Sequence, residues 1–225
     1  MKPLIAIGIL VLVSSCSTSS IQQDKSNFKE LKEVIPDLVY DIRYYSADNF
    51  VGKPIDGYNA PKAYLTKEAT AALQKVQAEL RQEDLGLKIY DAYRPQRAVD
   101  HFVRWGQDPN DTVTKQQYYP GIDKDSVFAY GYVATQSSHT RGSTVDLTII
   151  NLKTGEELDM GSPWDFFGAI SNHDAPLVTA AQTANRHKLR QLMEKHGFKE
   201  YPQEWWHYTL KDEPYPDTYF DWVVE

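Results

Sequence analysis

The chain has 225 residues, 41% of them hydrophobic, enough to bury one sizeable core and of a length that favours a single domain. Its formal charge is −7, with 24 basic residues scattered among 31 acidic ones; there is no basic stripe to neutralise phosphates, so nucleic acid is not an expected partner. The single cysteine excludes disulfides within the chain, and the 15 tyrosines and 5 tryptophans are read chiefly as core residues.

At the N-terminus Met1-Lys2-Pro3 precedes an uncharged run, residues 4–13. It is too short to cross a bilayer, which takes about 20 residues, and suits the apolar part of a signal peptide. The run ends in Val13-Ser14-Ser15-Cys16, which resembles the bacterial lipobox: an aliphatic residue, two small residues, and a cysteine that is lipidated after cleavage just before it. Residues 1–15 are therefore expected to be a lipoprotein signal peptide, and 16–30 a polar tether from lipidated Cys16 that cannot build a core. Ser17, in place of an aspartate, resembles the outer-membrane sorting pattern. The expected location is the cell envelope, with the lipid anchor on the periplasmic face of the outer membrane. Residues 31–225, with no repeat and no second linker, form the domain.

Within the domain, residues 34–44 alternate with β-branched and aromatic side chains and read as a strand leading into a polar loop, 46–57. Thr66 is an N-cap candidate for a helix whose Ala69, Leu73, Val76 and Leu80 recur at helical spacing, closing near Gly86. Residues 87–91 alternate as a strand. Arg94-Pro95 starts a second helix with its body over 98–105, the proline suiting the first turn. Residues 108–130 read as a long loop with a short helix, of the kind that is more often functional than idle. A β-branched strand over 143–150 is followed by a hairpin turn over 151–156. A long helix over 179–196 stops at Gly197, and extended segments follow from Phe198 and over 204–210. The mixture is α+β: one compact domain with a small, mostly antiparallel sheet flanked by helices.

Four side chains suggest chemistry. Two imidazoles and a carboxylate, His139, Asp146 and His207, can fill three corners of a zinc tetrahedron, and a further carboxylate, Glu204, is suited to take a proton from water; taken alone, His139 reads as a surface or satisfied core residue and Asp146 as a cap or turn residue before an apolar strand. His139 and Asp146 are separated by Gly142, which lets the chain turn between them. Glu204 and His207, three apart on a strand, face opposite ways unless a bend or bulge intervenes at Trp205-Trp206; without one, the tryptophans pack the core and the other two face solvent. His101, His173, His187 and His196 have no partner at ligand spacing and read as structural.

The whole set, Ser137-Ser138-His139-Thr140-Arg141-Gly142-Ser143-Thr144-Val145-Asp146 followed by Glu204-Trp205-Trp206-His207, resembles the zinc D,D-peptidases, in particular the D-alanyl-D-alanine dipeptidases of vancomycin-resistance type. The likeness runs from about Tyr44 to Phe220 through Asp48-Asn49-Phe50, Asp56-Gly57-Tyr58, Asp91-Ala92-Tyr93-Arg94-Pro95, Met160-Gly161-Ser162, Asp165-Phe166 and Asp212-Glu213-Pro214-Tyr215-Pro216. It implies one Zn2+ per chain in a central pocket, held by His139, Asp146 and His207, with Glu204 as general base and Arg94 stabilising an oxyanion; the alternative for Arg94 is a surface arginine stacked on Tyr93. It also implies a small zwitterionic dipeptide as substrate. Asp165 with Tyr44 would hold its amino end, although Tyr45 competes for that position and Asp165 could be a helix N-cap. Ser137, alongside Ser138, would hold the carboxylate. No protein partner is implied. The implied activity is hydrolysis of D-Ala-D-Ala. Rivals are a D,D-carboxypeptidase acting on longer wall peptides and a non-catalytic wall-binding lipoprotein. The N-terminus departs from the resistance enzymes, which resemble cytoplasmic proteins, so turnover of wall peptides or salvage of D-alanine is the expected role.

Overall fold

The computed structural model describes residues 21–22 and 24–225; the expected signal segment 1–15, Cys16 and the first part of the expected tether lie outside the described residues. The chain begins with strands β1 (Ile21–Gln22) and β2 (Phe28–Glu30), helix α1 (Leu31–Val34), strands β3 (Val39–Tyr40) and β4 (Tyr64–Thr66), and helix α2 (Lys67–Leu80). Strand β5 (Leu85–Asp91), helices α3 (Gln96–Gln107) and α4 (Lys115–Tyr118) and strand β6 (Thr144–Asn151) follow. Helix α5 (Ala180–Lys195) and strands β7 (Phe198–Tyr201), β8 (Glu204–Leu210) and β9 (Tyr219–Phe220) complete it. The central sheet has the order β3-β5-β6-β8-β7; β3 runs parallel to β5 and the other pairs are antiparallel. Helices α2 and α5 touch each other and pack against it, α2 on β5 and α5 on β7 and β8. This is the expected α+β domain with a mostly antiparallel sheet.

Local chemistry explains the elements. The Thr66 side chain caps α2 by accepting from Ala69 N, and Ala69, Leu73, Val76 and Leu80 are buried as the spacing requires. Thr179 and Gln182 form a capping box at the start of α5, and Gly197 follows its end at φ +92. Strand β6 is buried from Thr144 to Ile150, so it is covered on both faces, which its β-branched run suits.

Three expectations need correction. Residues 34–44 are not one strand: the Glu30 side chain caps the short α1, Pro36 cannot donate to a ladder, and only Val39–Tyr40 pairs before a 3₁₀ turn at Arg43–Tyr45. Helix α2 does not run to Gly86. It tightens into a 3₁₀ turn at Arg81–Glu83 and stops at Asp84, whose φ of +57 an aspartate tolerates, while Gly86 lies inside β5, where a Cβ would stand 2.7 Å from Leu152. Pro95 is the N-cap of α3, not a residue of its first turn.

The sheet's register creates the site. Asp91 on β5 lies opposite Asp146 on β6, and Asp146 lies opposite His207 on β8, so one row of ionisable residues crosses three neighbouring strands. The remaining histidine arrives on the 3₁₀ turn Ser138–Arg141, which Gly142 closes at φ +82 and which leads straight into β6. A Cβ on Gly142 would overlap the ring of Phe28, itself wedged edge-on among Tyr93, Phe220 and Trp222. Gly142→Ala is therefore expected to destabilise the protein by about 2–5 kcal/mol, combining left-handed strain with overpacking. Urea titration of the two proteins measures this; equal midpoints would refute it.

Candidate metal centre and its pocket

His139 is 1% exposed, and its orientation is set by two main-chain contacts. Its N–H donates to the Ser137 hydroxyl at 3.3 Å, and its ring Nδ1 is 2.7 Å from the Ala92 carbonyl. A carbonyl only accepts, so Nδ1 carries the proton and Nε2 turns a lone pair into the pocket. The other imidazole is oriented by a side-chain hydroxyl, which can either donate or accept. His207 Nε2 lies 3.2 Å from Ser138 Oγ, leaving Nδ1 to face His139 Nε2 at 3.2 Å.

Asp146 completes the group. Its Oδ1 is 3.2 Å from His139 Nε2 and 3.1 Å from His207 Nδ1, is buried, and receives no hydrogen bond. Its Oδ2 accepts from Trp164 Nε1 at 3.3 Å and lies 3.7 Å from Arg94 Nη2. Two imidazole lone pairs and a bare carboxylate oxygen thus converge with edges of 3.1–3.2 Å. Ligands about 2.0–2.1 Å from a tetrahedral centre stand about 3.3 Å apart, so the donor set fits zinc. Among the described residues this is the one group of three such side chains with metal-binding geometry.

Glu204 stands beside this triangle, with Oε2 3.5 Å from His207 Nδ1. Both reach the pocket because β8 is irregular: Tyr208 pairs with Glu200 and Glu204 with Tyr201, leaving residues 205–207 opposite no partner on β7. This is the bend that the two residues needed, and Trp205 and Trp206 are buried within it. Burial pushes the Glu204 carboxyl up, and the charge of Asp146 adds to the shift.

Arg94 crosses the other side of the pocket. Asp91 holds it through Nε and Nη2, both at 2.9 Å from the same carboxylate oxygen, and its guanidinium lies 5.1 Å from the ring centroids of Tyr44 and Phe102. It does not stack on Tyr93, which is paired with Trp222. Asp165 forms the inner end, 7% exposed, where it accepts from the Tyr44 hydroxyl at 2.7 Å. Tyr44 is the inward residue of its turn, whereas Tyr45 is 44% exposed. Asp165 caps no helix; it sits in a turn at φ +60, and burial with the Asp146 charge pushes its carboxyl well above the usual range. Tyr44, Arg94, His139, Asp146, Asp165, Glu204 and His207 border one cavity of about 540 Å³, which Ser137 and Ser138 also line.

Sequence reasoning gave no role to Asp91, Tyr58 or Trp164. Asp91 is 1% exposed, accepts from Tyr58 OH at 2.6 Å and fixes Arg94, while Trp164 binds the outer oxygen of Asp146. The only sequence signal was an acidic residue ending an apolar strand three positions before an arginine. His101, His173, His187 and His196 are not in the group, as expected; they lie beside Asp56, Glu200, Asp174 and Glu79 respectively.

Comparison with known proteins extends this picture. A family model described as D-ala-D-ala dipeptidase matches residues 24–225. The chain is 46% identical over 200 residues to a D-alanyl-D-alanine dipeptidase of Enterococcus faecalis, covering 89% of this chain and 99% of that one. A protein of the same description from Streptomyces coelicolor is 48% identical over 198 residues, and one from Enterococcus faecium 43% over 198; both alignments cover 88% of this chain and 98% of the relative.

Proposed function

This chain belongs to the D-ala-D-ala dipeptidase family, and we propose that it hydrolyses free D-Ala-D-Ala to two molecules of D-alanine with one zinc ion per chain. The observation that carries this reading is the convergence of His139 Nε2, His207 Nδ1 and the orphaned Asp146 Oδ1, with Glu204 and Arg94 beside them. Zinc held by these three residues supplies a Lewis acid for the scissile carbonyl and for water. Glu204 takes the proton of the attacking water and passes it to the leaving amine. Arg94, kept in place by Asp91, offsets negative charge on the carbonyl oxygen as the carbonyl becomes tetrahedral.

Charge balance points to the substrate. Asp91, Asp146, Asp165 and Glu204 face a single guanidinium, Arg94, so that full ionisation of the four carboxyl groups would leave three negative charges in excess, and burial holds Asp91, Asp165 and Glu204 toward their neutral forms until cations arrive. A divalent ion offsets two of these charges, and the substrate ammonium the third locally, with the substrate carboxylate held away from them at Ser137. The ammonium belongs at Asp165, whose ionisation it restores, with Tyr44 orienting the carboxylate. Ser137 Oγ accepts from His139 N, which leaves its O–H for the substrate carboxylate; Ser138 is occupied with His207. Because Asp165 is buried at the inner end among Tyr44 and Trp164, the amine must arrive unacylated, which favours a dipeptidase over a carboxypeptidase.

Purified protein should release D-alanine from D-Ala-D-Ala, stop with a chelator and resume with zinc. An N-acylated tripeptide ending in D-Ala-D-Ala should show kcat/KM at least about 100-fold lower, the scale of a lost buried charge-assisted contact. Chelator-resistant turnover, or preference for the tripeptide, would overturn the reading.

Lipidation of Cys16 is our proposal for location, supported by the apolar run at 4–13 and the Val13-Ser14-Ser15-Cys16 sequence. An enzyme anchored in the envelope meets D-Ala-D-Ala only after its release, so its role is wall-peptide turnover or D-alanine salvage, with the anchor on the periplasmic face of the outer membrane. Cys16→Ser should abolish incorporation of labelled fatty acid and move the protein out of the membrane fraction. Unlabelled wild-type protein fractionating with cytoplasm would sink the proposal.

A further inference from the structure

Arg186 on α5 is a buried cation that makes no ion pair among the described residues, although the charge of Asp159 is felt nearby. It is 0% exposed, and its guanidinium donates only to main-chain carbonyls: Nε to Met160 O at 2.6 Å, Nη1 to Asn172 O at 2.6 Å and Nη2 to Ile170 O at 2.9 Å. Burial pushes it down to about 10, so it stays charged at neutral pH and carries a desolvation cost that an apolar residue would avoid.

The three carbonyls are the two ends of one loop, residues 160–172. Two more side chains of α5 hold the residue just before it: Gln182 Nε2 donates to Asp159 Oδ2 at 2.8 Å and Asn185 Nδ2 to Asp159 O at 2.9 Å. Inside the loop, Ser171 Oγ donates to Phe166 O at 2.6 Å. The loop's interior delivers Trp164 to Asp146 and Asp165 to Tyr44, and Asp165 does so at φ +60. An aspartate tolerates that conformation, as at Asp84, so its place depends on what holds the loop around it. The clamp from α5 fixes both ends of that segment.

We propose that Arg186 is a positioning residue for substrate recognition: by clamping both ends of the 160–172 loop it sets the place of the Asp165 carboxylate, and with it the enzyme's demand for a free α-amine. The inference rests on the reading that Asp165 binds the substrate ammonium. Lysine cannot replace the fork, since one ammonium does not span three carbonyls in the guanidinium's planar geometry.

The test compares D-Ala-D-Ala with propionyl-D-alanine, the same molecule without its amine, on zinc-loaded protein. Arg186→Lys should raise KM for the dipeptide about tenfold with kcat within about threefold, and should shrink the kcat/KM preference for the amine-bearing substrate by a similar factor. Adding Arg186→Lys to Asp165→Asn should cost little more, because both act on one contact. A folded, zinc-loaded Arg186→Lys with unchanged preference, or with both substrates weakened equally, overturns the clamp. If that variant does not fold, Gln182→Ala with Asn185→Ala, at the outer staples, should reduce the preference about threefold, and an unchanged preference is again fatal. Asp165→Asn with wild-type preference would instead refute the ammonium subsite itself.

Discussion

Replacing Glu204 by glutamine should lower kcat on D-Ala-D-Ala by about three orders of magnitude while the protein still binds one zinc ion and KM moves by no more than a few-fold. The amide keeps the shape and the hydrogen-bonding oxygen of the carboxylate but cannot accept a proton. A positioned general base contributes about 10²- to 10⁴-fold, or about 3–5 kcal/mol of barrier. Zinc binding is spared because Glu204 is not one of the three convergent donors; its Oε2 stands outside their triangle, 3.5 Å from the nearest, His207 Nδ1. Steady-state kinetics together with metal content by mass spectrometry decide the matter. Turnover near the wild-type value would remove Glu204 from the reaction, and loss of zinc would make it a ligand. The same result separates an enzyme from a wall-binding protein that merely keeps the metal fold, since such a protein has no turnover to lose.

Much of this site was legible in the sequence because its chemistry is compressed into short segments. His139 and Asp146 sit on one turn-and-strand unit, with Gly142 between them at the left-handed φ that the turn requires. Glu204 and His207 are separated by two buried tryptophans that lie within the irregularity of β8. What escaped were contacts made by register and by distant loops. Asp91 reads as the end of a strand until pairing sets it across from Asp146. Trp164 reads as one more core aromatic until its indole N–H is found on the Asp146 carboxylate, and Arg186 as an ordinary helix residue until three carbonyls from one loop surround it. At the level of elements, alternation over 34–44 misled because α1, Pro36 and the 43–45 turn break up what looks like one strand. The helix was expected to close near Gly86, but Asp84 takes the left-handed position that ends it, since aspartate tolerates that φ, and the glycine occupies a crowded place in β5.

Asp146→Asn should produce the other large effect and act mainly through the metal. Asp146 is the only anionic donor in the triangle, between two neutral imidazoles, so the substitution removes the sole ligand charge facing a divalent ion. Zinc affinity is expected to fall at least about 100-fold and activity with it, since loss even of an outer partner of a metal ligand costs about 10- to 100-fold. A stability measurement isolates the cause. Zinc at about a thousand times its dissociation constant stabilises the wild type by about 4 kcal/mol, and the variant, at the same zinc concentration, by about 1.5 kcal/mol or less. The chelated forms should lie within about 1 kcal/mol of each other. The asparagine oxygen still accepts from Trp164 Nε1, and its amide N–H₂ donates toward the His139 and His207 lone pairs that a carboxylate oxygen cannot satisfy. The expected pattern is thus near-coincident melting curves with chelator and widely separated ones with zinc. Curves separated equally in both conditions would mean that Asp146 is a structural carboxylate rather than a ligand.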